Sequence, residues 1–170
     1  MHVGVIFVRN SHLILYNFKD IIKTYLRKEI SFAERLMGNT SMTITDPSLH
    51  FDLLSVIELQ LPAQNCIIAP RQYSTLSFRL QGGGHIESPD GNMKLGVNSI
   101  LFIPAGYSYH ITSQQEVVLC INLNIPNSDN LAPQCFMPPN PPSFRDNFQS
   151  IYQTWSLKRP GYYHKCMSML

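Results

Sequence analysis

The chain has 170 residues, 44% hydrophobic and 14% charged, with a formal net charge of +2. This balance fits one compact domain with at most a short appendage, and argues against a disordered chain. So small a net charge gives no ground for nucleic-acid or membrane binding by this segment itself.

The opening "MHVGVIFVRNSHLILY" is apolar but interrupted by Arg9, Asn10, Ser11 and His12. It has neither a charged leader nor a small-residue cleavage site, so no export signal is expected. No stretch reaches the roughly 18 apolar residues of a membrane-spanning helix, and the expected location is the cytoplasm. From Asp20 to Met37, Ile22, Leu26, Ile30, Ala33 and Met37 recur at helical spacing, and Gly38 and Asn39 supply a stop. From about Thr43 to Ile125 the pattern changes to short strands: "LLSVIELQL", "YSTLSFRL", "GHIE", "SILFI", "YHIT" and "VVLCINLNI". Proline and glycine signals separate them, and no helical pattern intervenes, which predicts an antiparallel sandwich or barrel.

The segment "PNSDNLAPQCFMPPNPP", from Pro126 to Pro142, holds six of the twelve prolines and reads as a linker or surface loop. Helical period returns after Ser143, a plausible N-cap, with Phe144, Phe148, Ile151, Tyr152 and Trp155 on one stripe. Pro160-Gly161 breaks it, and "YYHKCMSML" begins a second helical run that stops uncapped at Leu170, as expected of part of a longer chain. Cys66, Cys120, Cys135 and Cys166 are scattered without a C-x-x-C pair, so free thiols in a reducing cytosol are expected.

Two details bear on chemistry. Read as a hairpin loop, Gly82–Gly84 sets Gln81 opposite His85 and Arg79 opposite Glu87, a cross-strand ion pair worth about 0.2–1 kcal/mol. That reading gives Arg79 a structural role. On the preceding strand, Leu76, Phe78 and Leu80 take one face while Tyr73, Thr75, Ser77 and Arg79 take the other. The polar face either meets solvent or lines a cavity suited to a small polar ligand, and pattern alone does not choose.

The stretches "APRQYSTLSFRLQGGGHI" and "LGVNSILFIPAGYSYHI" carry Arg71, Tyr73, Gly82, Gly84, Gly96, Pro104, Gly106 and His110. In this order they resemble the N-terminal ligand-sensing domain of AraC-type (AraC/XylS) transcriptional regulators. Val97 stands where that family usually has Asp. The resemblance covers roughly Ser48 to Leu170 and implies a mainly β, cupin-like double-stranded β-helix (jelly roll) with flanking helices. It divides the chain into a leader with an amphipathic helix (1–41), an effector-binding barrel (42–126), a Pro-rich connector (127–142) and a helical dimerisation tail (143–170). The first forty residues do not match, and Met42 is one expected natural start. A homodimer is implied, with Phe148, Tyr152, Trp155, Tyr163 and Met167 as interface residues. DNA would be bound only through a helix-turn-helix domain outside these residues.

The resemblance also poses a metal question. Metal cupins share two motifs that bring three histidines and a carboxylate to one ion. Aligned on Gly82, the first puts Thr75 at its glutamate, and Arg71 and Ala69, or Pro70 and Ile68, at its histidines. Only His110 survives from the second, so no metal, no cofactor and no catalytic residue are expected. His85 and Glu87 do not rescue the set, because they alternate with the wrong partners. His110 becomes a candidate wall residue of an organic-ligand pocket. Arg71, Tyr73, Thr75, Ser77, Tyr109 and His110 are the expected contacts of a small effector, a sugar or small acid, with Tyr107 at the rim. The competing readings are a metal-dependent cupin isomerase or dioxygenase, and a ligand-free dimer module with a filled barrel.

Overall fold

A computed structural model describes residues 50–126 and 131–170. The expected helix over Asp20–Met37, the leader and the start at Met42 lie outside the described residues. Within them, nine strands form two antiparallel sheets, followed by two helices.

Sheet I has the order β1 (Asp52–Leu61), β8 (Glu116–Asn124), β3 (Ser74–Gln81), β6 (Ile100–Ile103) and β9 (Gln134–Phe136). Sheet II has the order β2 (Gln64–Ile68), β7 (Tyr109–Ser113), β4 (Gly84–Ser88) and β5 (Gly91–Leu95). Most consecutive strands fall in opposite sheets, so the chain repeatedly crosses between the layers. The sheets lie face to face: Leu101 and Ile103 of sheet I pack in one buried cluster with Ile86, Leu95 and Ile111 of sheet II.

Strand alternation in sheet I puts two chemistries on its two faces. Leu76 and Phe78 pair with Ile121 and Leu119 on β8 and with Phe102 and Ile100 on β6. This apolar face is covered by helix α1 (Pro141–Leu157) and helix α2 (Tyr162–Met169), through Phe144, Phe148, Ile151 and Cys166. The Phe78 and Phe148 rings lie 5.4 Å apart. Each such side chain removed from water contributes about 1.5–3 kcal/mol, and this layer is the main core. The opposite face carries Thr75, Ser77 and Arg79 beside Asn122, Cys120 and Val118. It turns toward sheet II and is buried.

Several expectations are corrected. Gly82–Gly84 is a corner between sheets and not a hairpin loop, because β3 pairs with β6 and β8 while β4 pairs with β5 and β7. At Gly84 a Cβ would collide with the Thr112 carbonyl oxygen, so only glycine lets β4 pass this close to β7. Arg79 therefore never faces Glu87; it pairs with Glu116.

The Pro-rich stretch is not bare linker either. Gln134–Phe136 adds β9 to the edge of β6, and α1 already starts at Pro141. Asn140 caps it in place of Ser143: its side-chain oxygen accepts from the Ser143 N–H at 3.5 Å, and proline suits the first helical turn, where no N–H partner exists. The expected strand segments all form, and β2, β5 and β9 are additional.

Candidate functional site: a polar lumen between the sheets

The inward face of sheet I encloses a cavity of about 120 Å³ with sheet II. Its walls are apolar at Leu59, Leu101, Ile103, Ile111 and Val118, and polar at Thr75, Ser77 and Cys120. One end carries Arg71, Ile68 and Tyr109; the other carries Gln64, Arg79 and Glu116. Cavities of roughly 150 Å³ admit benzene, so the space suits a compact molecule and not an oligosaccharide.

The hydroxyls along the wall are anchored by the sheet itself. Thr75 Oγ1 donates to Asn122 Oδ1 at 2.9 Å, and Asn122 Nδ2 donates to Ser55 Oγ at 2.9 Å. Ser77 Oγ donates to the Leu101 carbonyl at 3.3 Å. At the far end, Arg79 Nη2 and Nε both donate to Glu116 Oε2, at 2.7 and 3.1 Å. Both side chains are at least 95% buried, and Glu116 Oε1 has no hydrogen-bond partner among the described residues. The pair neutralises itself, so among the described residues the positive charge left uncompensated on the lining is Arg71.

Two further groups are shaped by burial. The Cys120 thiol is pushed up to about 12 by desolvation and stays neutral. Burial also raises the Tyr109 phenol, while the nearby Arg71 guanidinium opposes that shift. Tyr109 is thus an O–H donor across the physiological range.

Of the six expected ligand contacts, Arg71, Thr75, Ser77 and Tyr109 line this cavity together. Tyr73 lines an adjoining recess bounded by the same Arg71, Thr75 and Tyr109, with Tyr107 at its rim. His110 does not belong to the site. On β7, Tyr109 and Ile111 point inward opposite Ile68 and Ile86, so the residue between them points out. His110 Nδ1 lies 3.7 Å from Glu87 Oε2, and His85 Nε2 lies 3.4 Å from Glu87 Oε1. His85, Glu87 and His110 therefore do share a face, contrary to the reading from alternation. Each imidazole meets a different carboxylate oxygen, and among the described residues no three such side chains are placed to hold a metal ion.

The expected dimer residues all lie on the two helices. Phe148 is fully buried inside the chain's own core, and Tyr152, Trp155, Tyr163 and Met167 are partly buried against the same core. The α1 positions that stay exposed include Asp146, Gln149, Ser150, Gln153 and Ser156, which are polar.

Sequence reasoning missed Gln64, Cys120 and Glu116 as lining residues. A signal for two of them was present: Glu116, Val118, Cys120 and Asn122 alternate with Val117, Leu119, Ile121 and Leu123. That alternation mirrors the polar and apolar faces of β3. Comparison with known protein-family models and with curated proteins finds no match to this chain. No helix among the described residues is long and apolar enough to cross a membrane.

Proposed function

We propose that this chain is the effector-sensing part of an AraC-type transcription regulator, built as a cupin-like jelly roll whose lumen takes a small polar organic molecule. One observation carries the reading: the inward face of sheet I holds Thr75, Ser77, Arg79 and Glu116 among aliphatic side chains around an open space, and its outer apolar face is covered by helices. A sandwich built for stability alone fills such a space with apolar side chains and turns polar ones to water. Keeping Thr75, Ser77, Arg79 and Glu116 inside lowers stability, and the cost makes sense where a ligand uses the space.

The response follows from the layering. The strands whose inner faces line the lumen, β3 and β8, carry on their outer faces the Phe78 and Leu119 side chains that pack with α1. A ligand that fits one spacing of these layers better than another shifts the population of helix positions by its differential affinity. In the full regulator that shift reaches a helix-turn-helix part beyond these residues, and a partner subunit through the half-buried Tyr152, Trp155, Tyr163 and Met167. The regulator acts in the cytoplasm on this reading.

A thermal-shift screen of monosaccharides and small acids tests the proposal. A lumen ligand at a hundred times its dissociation constant adds about 2.7 kcal/mol, raising the midpoint by roughly 5–10 °C. Leu101→Trp, which fills the lumen, abolishes that shift. A screen with no binder, or a binder indifferent to Leu101→Trp, contradicts it.

A further inference from the structure

Resting on the lumen as a small-molecule site, the donors and acceptors left over after folding restrict what kind of molecule it takes. The Thr75 and Ser77 protons are committed to Asn122 and to the Leu101 carbonyl. Arg79 is committed to Glu116, and the two charges cancel. At the other end, the Arg71 guanidinium and the Tyr109 O–H have no hydrogen-bond partner among the described residues. Both border the cavity and the recess beside it. The free groups at this end are thus donors, one of them cationic, and the charge along the lining sums to one positive.

A group of acceptor-only character with a single negative charge complements that end. A planar guanidinium matches a carboxylate through two parallel N–H donors, and a phenol can add a third. The rest of the space is walled by Leu59, Ile68, Leu101, Ile103, Ile111 and Val118, which favour an apolar body. A neutral sugar would leave Arg71 without a counter-charge and set hydroxyls against aliphatic walls. A dianionic phosphate ester would carry one charge more than the lining compensates.

We propose that the lumen takes a small monocarboxylate with a compact apolar body, its carboxylate held at the mouth by Arg71 and Tyr109. Selectivity over the neutral isostere comes from Arg71, because among the described residues no other uncompensated charge lines the cavity.

Isothermal titration of the full chain with cyclohexanecarboxylate and with cyclohexanecarboxamide tests this, in the unaltered protein and in Arg71→Gln and Tyr109→Phe. The two probes have the same shape and differ in charge. The acid should bind about tenfold or more tightly than the amide, the scale of a charge-assisted hydrogen bond. Arg71→Gln should erase that difference with an unchanged unliganded melting midpoint, since its side chain is exposed. Tyr109→Phe should weaken the acid by a smaller factor. Equal binding of acid and amide, untouched by Arg71→Gln, overturns the carboxylate assignment and leaves the lumen as a small-molecule site. Binding of neutral sugars with no binding of either probe also overturns the assignment alone. No binding by any compound overturns both the assignment and the sensing function it rests on.

Discussion

Removing Glu116 separates the observed ion pair from the one the sequence offered. In Glu116→Ala the guanidinium of Arg79, a side chain 5% exposed, loses its counter-charge and both of its side-chain hydrogen bonds. Breaking a buried pair from one side typically costs about 3–5 kcal/mol. The lumen beside Arg79 can admit water to the orphaned guanidinium, and one Glu116 oxygen is already unpartnered, so the lower end applies, about 3 kcal/mol. The double variant Arg79→Met, Glu116→Leu removes both ions and both desolvation costs, and should be less destabilised than Glu116→Ala. Glu87→Ala, at a side chain 53% exposed, should change stability by less than about 0.5 kcal/mol. Urea unfolding, followed by far-ultraviolet circular dichroism and by the fluorescence of Trp155, the chain's single tryptophan, measures all three. A larger loss in Glu87→Ala than in Glu116→Ala, or a double variant less stable than Glu116→Ala, refutes the burial argument.

Phe148→Ala should destabilise by about 3–5 kcal/mol, because its ring is fully buried against Phe78; a fall in oligomer size at unchanged stability would instead restore it to an interface. Gly84→Ala should lower the melting midpoint, since its Cβ meets the Thr112 carbonyl and the neighbouring Ser113 backbone. The Cys120 thiol has a folded value raised to about 12 from 9.0. The stability it contributes is therefore complete below pH 9 and is lost as pH rises from 9 toward 12. Cys120→Ala should flatten that part of the stability profile, and an unchanged alkaline profile would contradict the burial of the thiol. Iodoacetamide followed by mass spectrometry should label exposed Cys66 in the folded protein and Cys120 only after unfolding. Protein purified without added metal should carry well under one equivalent of iron, manganese or zinc; a stoichiometric metal would favour the enzyme reading.

The strands of the fold were legible because period-2 alternation is written locally, as in Leu76 and Phe78 against Thr75 and Ser77. Which face turned inward was not legible. Alternation states only that the faces differ, and the choice is made by helices more than sixty residues later in the chain, whose Phe144 and Phe148 cover the apolar side. The partner of Arg79 was misread for a related reason. Glu87 is eight residues away in sequence and invites a hairpin, whereas Glu116 lies 37 residues off and meets Arg79 only once β3 and β8 pair. His110 was misplaced by a parity that could have been counted: on one strand it cannot share the inward face with Tyr109 and Ile111. Strand β9 escaped notice because three residues between prolines carry no period. Proline is tolerated there, since an edge strand has to satisfy a ladder on one side only.

The central claim is that the space between the sheets is a ligand site. Methyl-selective nuclear magnetic resonance tests it directly, by titration with the tightest binder from the screen. The methyl signals of Leu101, Ile103, Ile111 and Val118, which line the lumen, should shift together and saturate at one affinity. The methyls of Ile67, exposed outside it on β2 and away from the helices, should stay in place. Shifts at Ile67 with the four lumen methyls silent would place the ligand on the outer surface and contradict the account.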